Sequence, residues 1–366
     1  MKRKTVLVIM FVALAILFAV IQAVKHPLNR SRTFPAARAQ GQGKVVIEIE
    51  PGDNLTKVAL KLKENWVISN EKIFVLLGEL QGADKKLQAG EYEFDQSMSM
   101  ASVLKILVSG KQRYYHLVIP EGYNKWDIAH EVDVMWPGKG ENFLALCSDQ
   151  AFISKLGLNV KDLEGYLYPD TYFVRKFDTP EKLIQRMVDN FNDSWKPEYE
   201  QKAIDLKLTR NDVITIASIV EKEAGLHEEK PMVAAVIYNR LKLKMPLCMG
   251  PTVIYGMMPQ FNGNITRTDL ATYTPYNTYK IKGLPPSPIC NPGKNAIKAA
   301  LWPAKVNYLY FVARGDGSHV FSTNYADHVK AVSEYQKFRA EQELELQQAA
   351  SVGETVNPEP EKKPGE

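Results

Sequence analysis

The stretch ITIASIVEKEAG, Ile214 to Gly225, runs an apolar segment into two glutamates one residue apart. Its reading decides the character of the larger folded part of the chain. Capping residues from Thr209 to Asp212 precede it and Gly225 ends it, so the segment is a helix. With Val213 at zero on a helical wheel of about 100° per residue, Ile216, Ala217, Val220 and Ala224 gather around zero. Ile214 and Ile219 lie at the margins, and Lys222 falls on the opposite, wet side. Glu221 and Glu223 take opposite shoulders of the apolar face, roughly 160° apart. Neighbours so placed do not enter one cleft together, which excludes a paired-carboxylate site built from these two. A carboxyl at an apolar margin loses hydration, keeps its proton nearer neutrality, and can act as a general acid. The competing reading is two solvated acids near a helix end, where negative charge is mildly unfavourable. The wheel does not choose between the two glutamates.

Outward from this helix, the whole chain has 366 residues, 45% hydrophobic and 24% charged, which is ordinary composition for two folded domains. A net charge of +4 gives no nucleic-acid footprint. Cys147, Cys248 and Cys290 are widely spaced, with no CxxC pair and no Cys/His cluster, so no metal site is expected. At the N-terminus Lys2, Arg3 and Lys4 precede an uncharged run, Thr5 to Val24, long enough to cross a bilayer as a helix. An uncleaved anchor over 5–24 is the expectation, with residues 1–4 cytoplasmic and a cleaved signal peptide as the lesser reading.

Residues 25–43 read as a basic linker. VVIEIE then alternates like a strand, and PGDN turns the chain with Asp53 or Asn54 as a cap. Leu55, Val58, Ala59 and Leu62 recur at helical spacing; a second helix capped by Ser69 or Asn70, a strand in AGEYEF and a further helix follow. The strand-helix-helix-strand order over 45–94 predicts a small βααβ subdomain of LysM type within 44–111. That likeness is one of fold and by itself says nothing of glycan binding. A larger α+β domain over 112–339 is expected, with a hairpin in NYLYFVARGDGSHVFS around Gly315-Asp316-Gly317 and a closing helix. Residues 340–366 are Glu/Gln-rich, then Pro/Glu/Lys-rich, and read as a largely disordered tail. The expected fold class is thus α+β, with a transmembrane helix ahead of the two folded parts.

ASIVEKEAG, NRL, PTVIYG, YNTY, GLPPSPICNPG and YLYFV followed by HVFS occur in this order. Together they closely resemble the YceG-like family of endolytic murein transglycosylases, over roughly 44–338. The resemblance implies a membrane-anchored enzyme outside the cytoplasmic membrane that cuts peptidoglycan strands between N-acetylmuramic acid and N-acetylglucosamine, leaving 1,6-anhydro ends. By analogy it would end nascent strands beside the peptidoglycan synthases. It needs no cofactor. The family's catalytic glutamate is the second acid of its E-K-E segment, which here is Glu223; Glu221 would then be supportive. One acid suffices where the substrate's own C6 hydroxyl is the nucleophile, because proximity replaces a second enzymic group. A glycosidase needs two.

Other positions carry paired readings. Tyr276-Asn277 resembles a Tyr-Asn motif of lytic transglycosylases that orients substrate, or is an Asn-containing turn. Tyr166, Tyr168 and Tyr172 alternate like one strand face and either stack on sugars or pack a core. Asn239 and Arg240 line a cleft or fix helix contacts. His319 and His328 read as structural. LCMGPTVIYG departs from the family's usual L-Q-x-D-P segment, with Cys248 and Gly250 at the Gln and Asp positions, which puts substrate contacts there in doubt. Two other classes stand beside the transglycosylase: a non-catalytic peptidoglycan-binding or assembly protein, and a hydrolytic muramidase using Glu164 or Asp170 to activate water.

Overall fold

The computed structural model describes residues 43–353. The predicted anchor, the linker and the last residues of the tail lie outside the described residues. Among the described residues no helix is long and apolar enough to cross a membrane.

The chain forms two compact units. The first comprises the described residues up to Leu117 together with Tyr172–Thr179. It opens with β1 (Lys44–Ile49), α1 (Leu55–Glu64), α2 (Glu71–Leu80), β2 (Gly90–Asp95) and α3 (Met100–Ser109). β1 and β2 pair antiparallel, from Lys44 opposite Asp95 to Ile49 opposite Gly90. The βααβ order is the expected one, and its apolar spacing does the packing. Leu55, Val58, Ala59 and Leu62 are the buried residues of α1 and meet Ile47, Ile49, Tyr92 and Phe94. Of the two cap candidates before α1, Asn54 is the cap, accepting from the Lys57 amide at 2.8 Å. Asp53 instead pairs with Lys57 and Lys61, each at 2.7 Å, and these ammonium groups hold its carboxyl well below the usual carboxylate range. Asn70, rather than Ser69, caps α2.

This unit extends past the expected boundary at residue 111. The reason is local: Arg113 donates its amide to the Glu91 carbonyl at 2.7 Å, Tyr115 hydrogen-bonds the Glu91 carboxylate, and Lys176 pairs with Glu48 at 2.6 Å and with Glu91 at 3.1 Å. The chain passes between the units in β3 (Tyr115–Ile119) and again in β4 (Asp170–Val174), which pair with each other.

The second unit holds the remaining described residues, 118–171 and 180–353. Its helices are α4 (Lys125–Met135), α5 (Gly140–Ser148), α6 (Gln150–Lys155), α7 (Pro180–Ser194), α8 (Pro197–Asp205), α9 (Arg210–Glu223), α10 (Lys230–Lys242), α11 (Gly250–Gly256), α12 (Arg267–Ala271) and α13 (Lys294–Leu301). The hairpin β5 (Tyr310–Ala313) and β6 (His319–Ser322) follows, with Phe311 opposite Phe321, and α14 (Tyr325–Gly353) closes the described chain. α14 runs past residue 339, where the closing helix was expected to give way to a disordered tail.

α9 is the axis of this unit. A capping box of Thr209 and Asp212 starts it, as the sequence indicates. The wheel predicts one buried face, but every residue from Val213 to Val220 is buried. α8, α10, α11 and α13 all pack on it. The polar residues inside are satisfied locally: Thr215 donates to the Asn211 carbonyl at 2.7 Å and Ser218 to the Thr215 carbonyl at 2.8 Å. Ser218 also accepts the Ile289 amide at 3.0 Å, tying the Pro-rich loop to the helix.

Candidate functional site

The two glutamates that open the question have opposite surroundings. The Glu221 side chain is 8% exposed and fully engaged. Its Oε1 takes the Lys230 ammonium at 2.5 Å, and its Oε2 takes the Gly293 amide at 3.0 Å. Lys230 is itself 2% exposed, so this ion pair locks the end of α9 to the start of α10 and to the loop before α13. Glu223, two residues on, accepts no hydrogen bond and no ion pair from the protein among the described residues. It points into a cleft of about 430 Å³. Burial among protein atoms pushes its carboxyl up to about 7, with Arg240 pulling weakly the other way. The geometry therefore separates two glutamates that the helical wheel left alike: Glu221 is engaged, and Glu223 faces the cleft.

The cleft walls come from three places. Arg240, on α10, lies on one side. Leu247, Cys248, Met249 and Gly250 form a second wall, and β5 with His319 and His328 a third. Arg240 is held by backbone: its Nε donates to the Leu309 carbonyl at 2.7 Å and its Nη1 to the Leu247 carbonyl at 2.6 Å, while its guanidinium lies 5.2 Å from the Tyr310 ring centre. One guanidinium thus ties the second wall to the third, using the planar fork that lysine lacks. His319 is clamped by Glu229, at 2.6 Å through Nδ1 and 2.9 Å through its amide. His328 stacks on Tyr310 at 5.0 Å, and its buried Nδ1 has no hydrogen-bond partner among the described residues. The two histidines expected to be structural both line the cleft. Both stand in the last motif of the family resemblance, His319 at the start of HVFS and His328 nine residues on, but their distance from Glu223 in sequence hides that they share its cleft.

The other expected site residues fall elsewhere. Asn239 donates to the Val306 and Tyr308 carbonyls at 3.0 and 2.9 Å, pinning the segment that leads into β5. Asn277 is fully buried. Its amide nitrogen donates to the Thr272 carbonyl at 2.6 Å and to those of Asp269 and Leu270 at 3.2 Å, and its oxygen accepts the Tyr279 amide at 2.9 Å. The loop's own backbone consumes the whole side chain. Tyr276 packs on Tyr255 at 4.8 Å, with its hydroxyl 2.6 Å from that of Ser287. The tyrosine of this motif that does line the cleft is Tyr279. Nothing in the YNTY spacing separates it from Tyr276. Tyr168 is half-buried against the main core, and Tyr166 is inside it, 4.9 Å from Phe191. These two precede β4 and Tyr172 lies within it, so the three do not share a strand face.

Cys248 and Gly250 both line the cleft. Cys248 sits at φ 51°, a left-handed conformation that costs a side-chain-bearing residue about 1–2 kcal/mol. Its amide reaches the Thr278 carbonyl at 3.2 Å, and Thr278 also accepts the Met249 amide at 2.9 Å. All three cysteines are free thiols.

The acids considered for water activation do not reach the cleft. Glu164 is fully buried and accepts from the Lys125 amide at 3.1 Å, Tyr255 at 3.0 Å and Asn291 at 3.0 Å. Burial pushes its carboxyl up to about 8. Asn291, in the same network, accepts the Gly165 and Leu167 amides at 2.9 Å each. Gly165 there has φ +90°, and a Cβ would lie 2.5 Å from Pro288, so only glycine fits. Asp170 is exposed and accepts from the Thr171 amide at 2.7 Å. Among the described residues Glu223 is the one carboxylate that lines the cleft.

Residues 47–334 match the model of the YceG-like family. The chain is 34% identical over 307 residues to an endolytic murein transglycosylase of Bacillus subtilis, covering 80% of this chain and 84% of the relative. It is 33% identical over 323 residues to an endolytic murein transglycosylase of Streptococcus pneumoniae, covering 80% of this chain but 58% of that longer protein. A crystal structure of a putative YceG-like protein from Listeria monocytogenes superposes with a TM-score of 0.56 at 33% identity, covering 79% of this chain and 98% of that one. The order of motifs, the match over most of the chain and the structural likeness lead to one conclusion: this chain belongs to the YceG-like family.

Proposed function

We propose that this protein is an endolytic murein transglycosylase, with Glu223 as its single acid/base. The observation that carries the reading is a lone carboxyl in a cleft, raised to about 7 and without a hydrogen bond or ion pair among the described residues. Such a group holds a proton at neutral pH and has a free edge with which to give it to a glycosidic oxygen. Once ionised, the same group takes the proton of the muramic C6 hydroxyl, which closes on C1, breaks the bond to the leaving N-acetylglucosamine and leaves a 1,6-anhydro end. A hydrolase of the two-acid kind needs a second carboxylate across the bond. In this cleft the facing groups are Arg240, Tyr279 and two histidines.

In this reading Tyr279 and His328 face the sugar. Asn277, Tyr276 and Asn239 act on substrate through the backbone they hold, and Tyr168 supports the core beneath the site. The chain is anchored in the cytoplasmic membrane by residues 5–24, with the catalytic part outside the cytoplasm. It ends nascent strands next to the synthases. The βααβ subdomain is of LysM type.

The test is mass spectrometry of products from purified glycan strands, using protein beginning at Gly43 and its Glu223→Gln variant. Internal cuts with 1,6-anhydro ends, reduced by about 10²–10⁴-fold in the variant, are expected for loss of a general acid. Reducing ends would assign the protein to the hydrolases. Intact strands with folded protein would assign a binding role.

A further inference from the structure

A second cavity opens in the same unit, of about 540 Å³, and shares no lining residue with the Glu223 cleft. Its platform is Trp302, directly after α13 and 43% exposed. The indole is held edge-on by Tyr199 at 5.6 Å, and Tyr199 by the buried Trp195 at 5.9 Å. A large apolar ring left in water but fixed from behind is a pre-organised surface: little entropy is lost when something lies on it.

The rim is polar and of both signs. His227 and Asn295 approach each other at 3.4 Å, and the side chains of Lys298 and Glu198 have no partner among the described residues. This mixture narrows the ligand. An anchor from a protein partner would want apolar walls around the ring. A polyanion would be repelled by Glu198. A pyranose fits both features, because it has a face of C–H bonds to lie on an indole and a rim of hydroxyl and amide groups to meet mixed donors and acceptors.

The two cavities are joined by one short segment. Glu223 lines the first and His227, four residues later, lines the second, so their Cα atoms are at most about 14 Å apart. Cavities whose lining residues lie this close are within reach of one polymer strand.

We propose that the cavity is an outlying subsite for the glycan strand, in which a sugar ring lies on Trp302 and its polar rim meets His227, Asn295 and Lys298. The proposal rests on the strand-cleaving reading above and adds where the strand runs beyond the cut.

Initial rates on purified strands of graded length test it, in wild type, Trp302→Ala, Trp302→Phe and the exposed pair His227→Ala/Asn295→Ala. The ratio of KM on long strands to KM on short ones should rise about tenfold in Trp302→Ala, the scale of one lost stacked contact, and fall back in Trp302→Phe. The surface pair reports on the subsite even where Trp302→Ala fails to fold. An unchanged ratio in all the variants overturns the subsite while leaving the activity standing. If wild type cuts no strands, the activity reading has failed, and fluorescence decides the subsite alone. Strand-induced quenching in Glu223→Gln that is lost in Glu223→Gln/Trp302→Phe upholds the subsite; equal signals in the two proteins overturn it.

Discussion

Two acids separated by one lysine lead opposite lives, and substitutions at them should have opposite signs. Glu223 is raised from the ordinary value of 4.5 to about 7 in the folded protein by burial. Between those values the native state binds more protons than the unfolded chain, so this group's contribution is full below about pH 4.5 and is lost as pH rises through 7. Glu223→Gln removes that loss. The melting temperature of the variant minus that of wild type should therefore grow from pH 5 to pH 8. The sugar-cleaving rate should move the other way, with kcat/KM falling by one proton's slope above pH 7 as the acid form disappears. Glu221→Ala breaks this ion pair and leaves the buried Lys230 without its carboxylate. A cost of about 3–5 kcal/mol is expected, read as a lower denaturation midpoint. Asn277→Ala should cost about 1–3 kcal/mol through the unmet carbonyls of 269–272, again read by denaturant unfolding.

At the scale of elements, the site depends on one segment being held in place. The hairpin wall is tied to α10 by Asn239 and Arg240 through the carbonyls of Val306, Tyr308 and Leu309. Arg240→Lys keeps the charge and gives up the fork, so hydrogen exchange across 306–322 should accelerate relative to α9. Arg240→Met additionally removes the cation that lowers the Glu223 carboxyl, so the alkaline limb of the pH–rate profile should shift to higher pH. These helices and strands were largely legible beforehand, because apolar period and capping residues act over a few positions. The βααβ order, the Thr209 capping box and the hairpin around Gly315-Asp316-Gly317 all stand in the structure. The depth of α9 was not legible. A wheel sees one helix, whereas burial on all sides comes from helices and loops far away in sequence.

For the whole molecule, the first unit borrows Tyr172–Thr179 from the middle of the second. A chain beginning at Val118 would leave Lys176 without Glu48 and Glu91 and the first unit's insert without its core. It should express with lower solubility and a broader unfolding transition than one beginning at Gly43. The thiols report on the second unit in the same way. Cys147 and Cys290 are fully buried, while Cys248 borders the cleft. Mass spectrometry after iodoacetamide should show one adduct, at Cys248, in the native protein and three in denaturant. Burial raises the Cys248 thiol, so that labelling should quicken as pH rises.

By itself the sequence determined what depends on near neighbours and on ordered motifs: the α+β class, the Thr209 capping box, the small βααβ unit, the hairpin and the family. It also placed the two glutamates on different shoulders of one helix. Which of the two carboxyls is left without a hydrogen bond or ion pair among the described residues was decided by tertiary structure, because Lys230 and the Gly293 amide engage Glu221 and not Glu223. The same holds for the cleft's other walls. Tyr279, His319 and His328 come to the cleft through segments held by Asn277, Asn239, Arg240 and Glu229, and the first three of these act on main-chain groups, which every residue possesses and no motif can display.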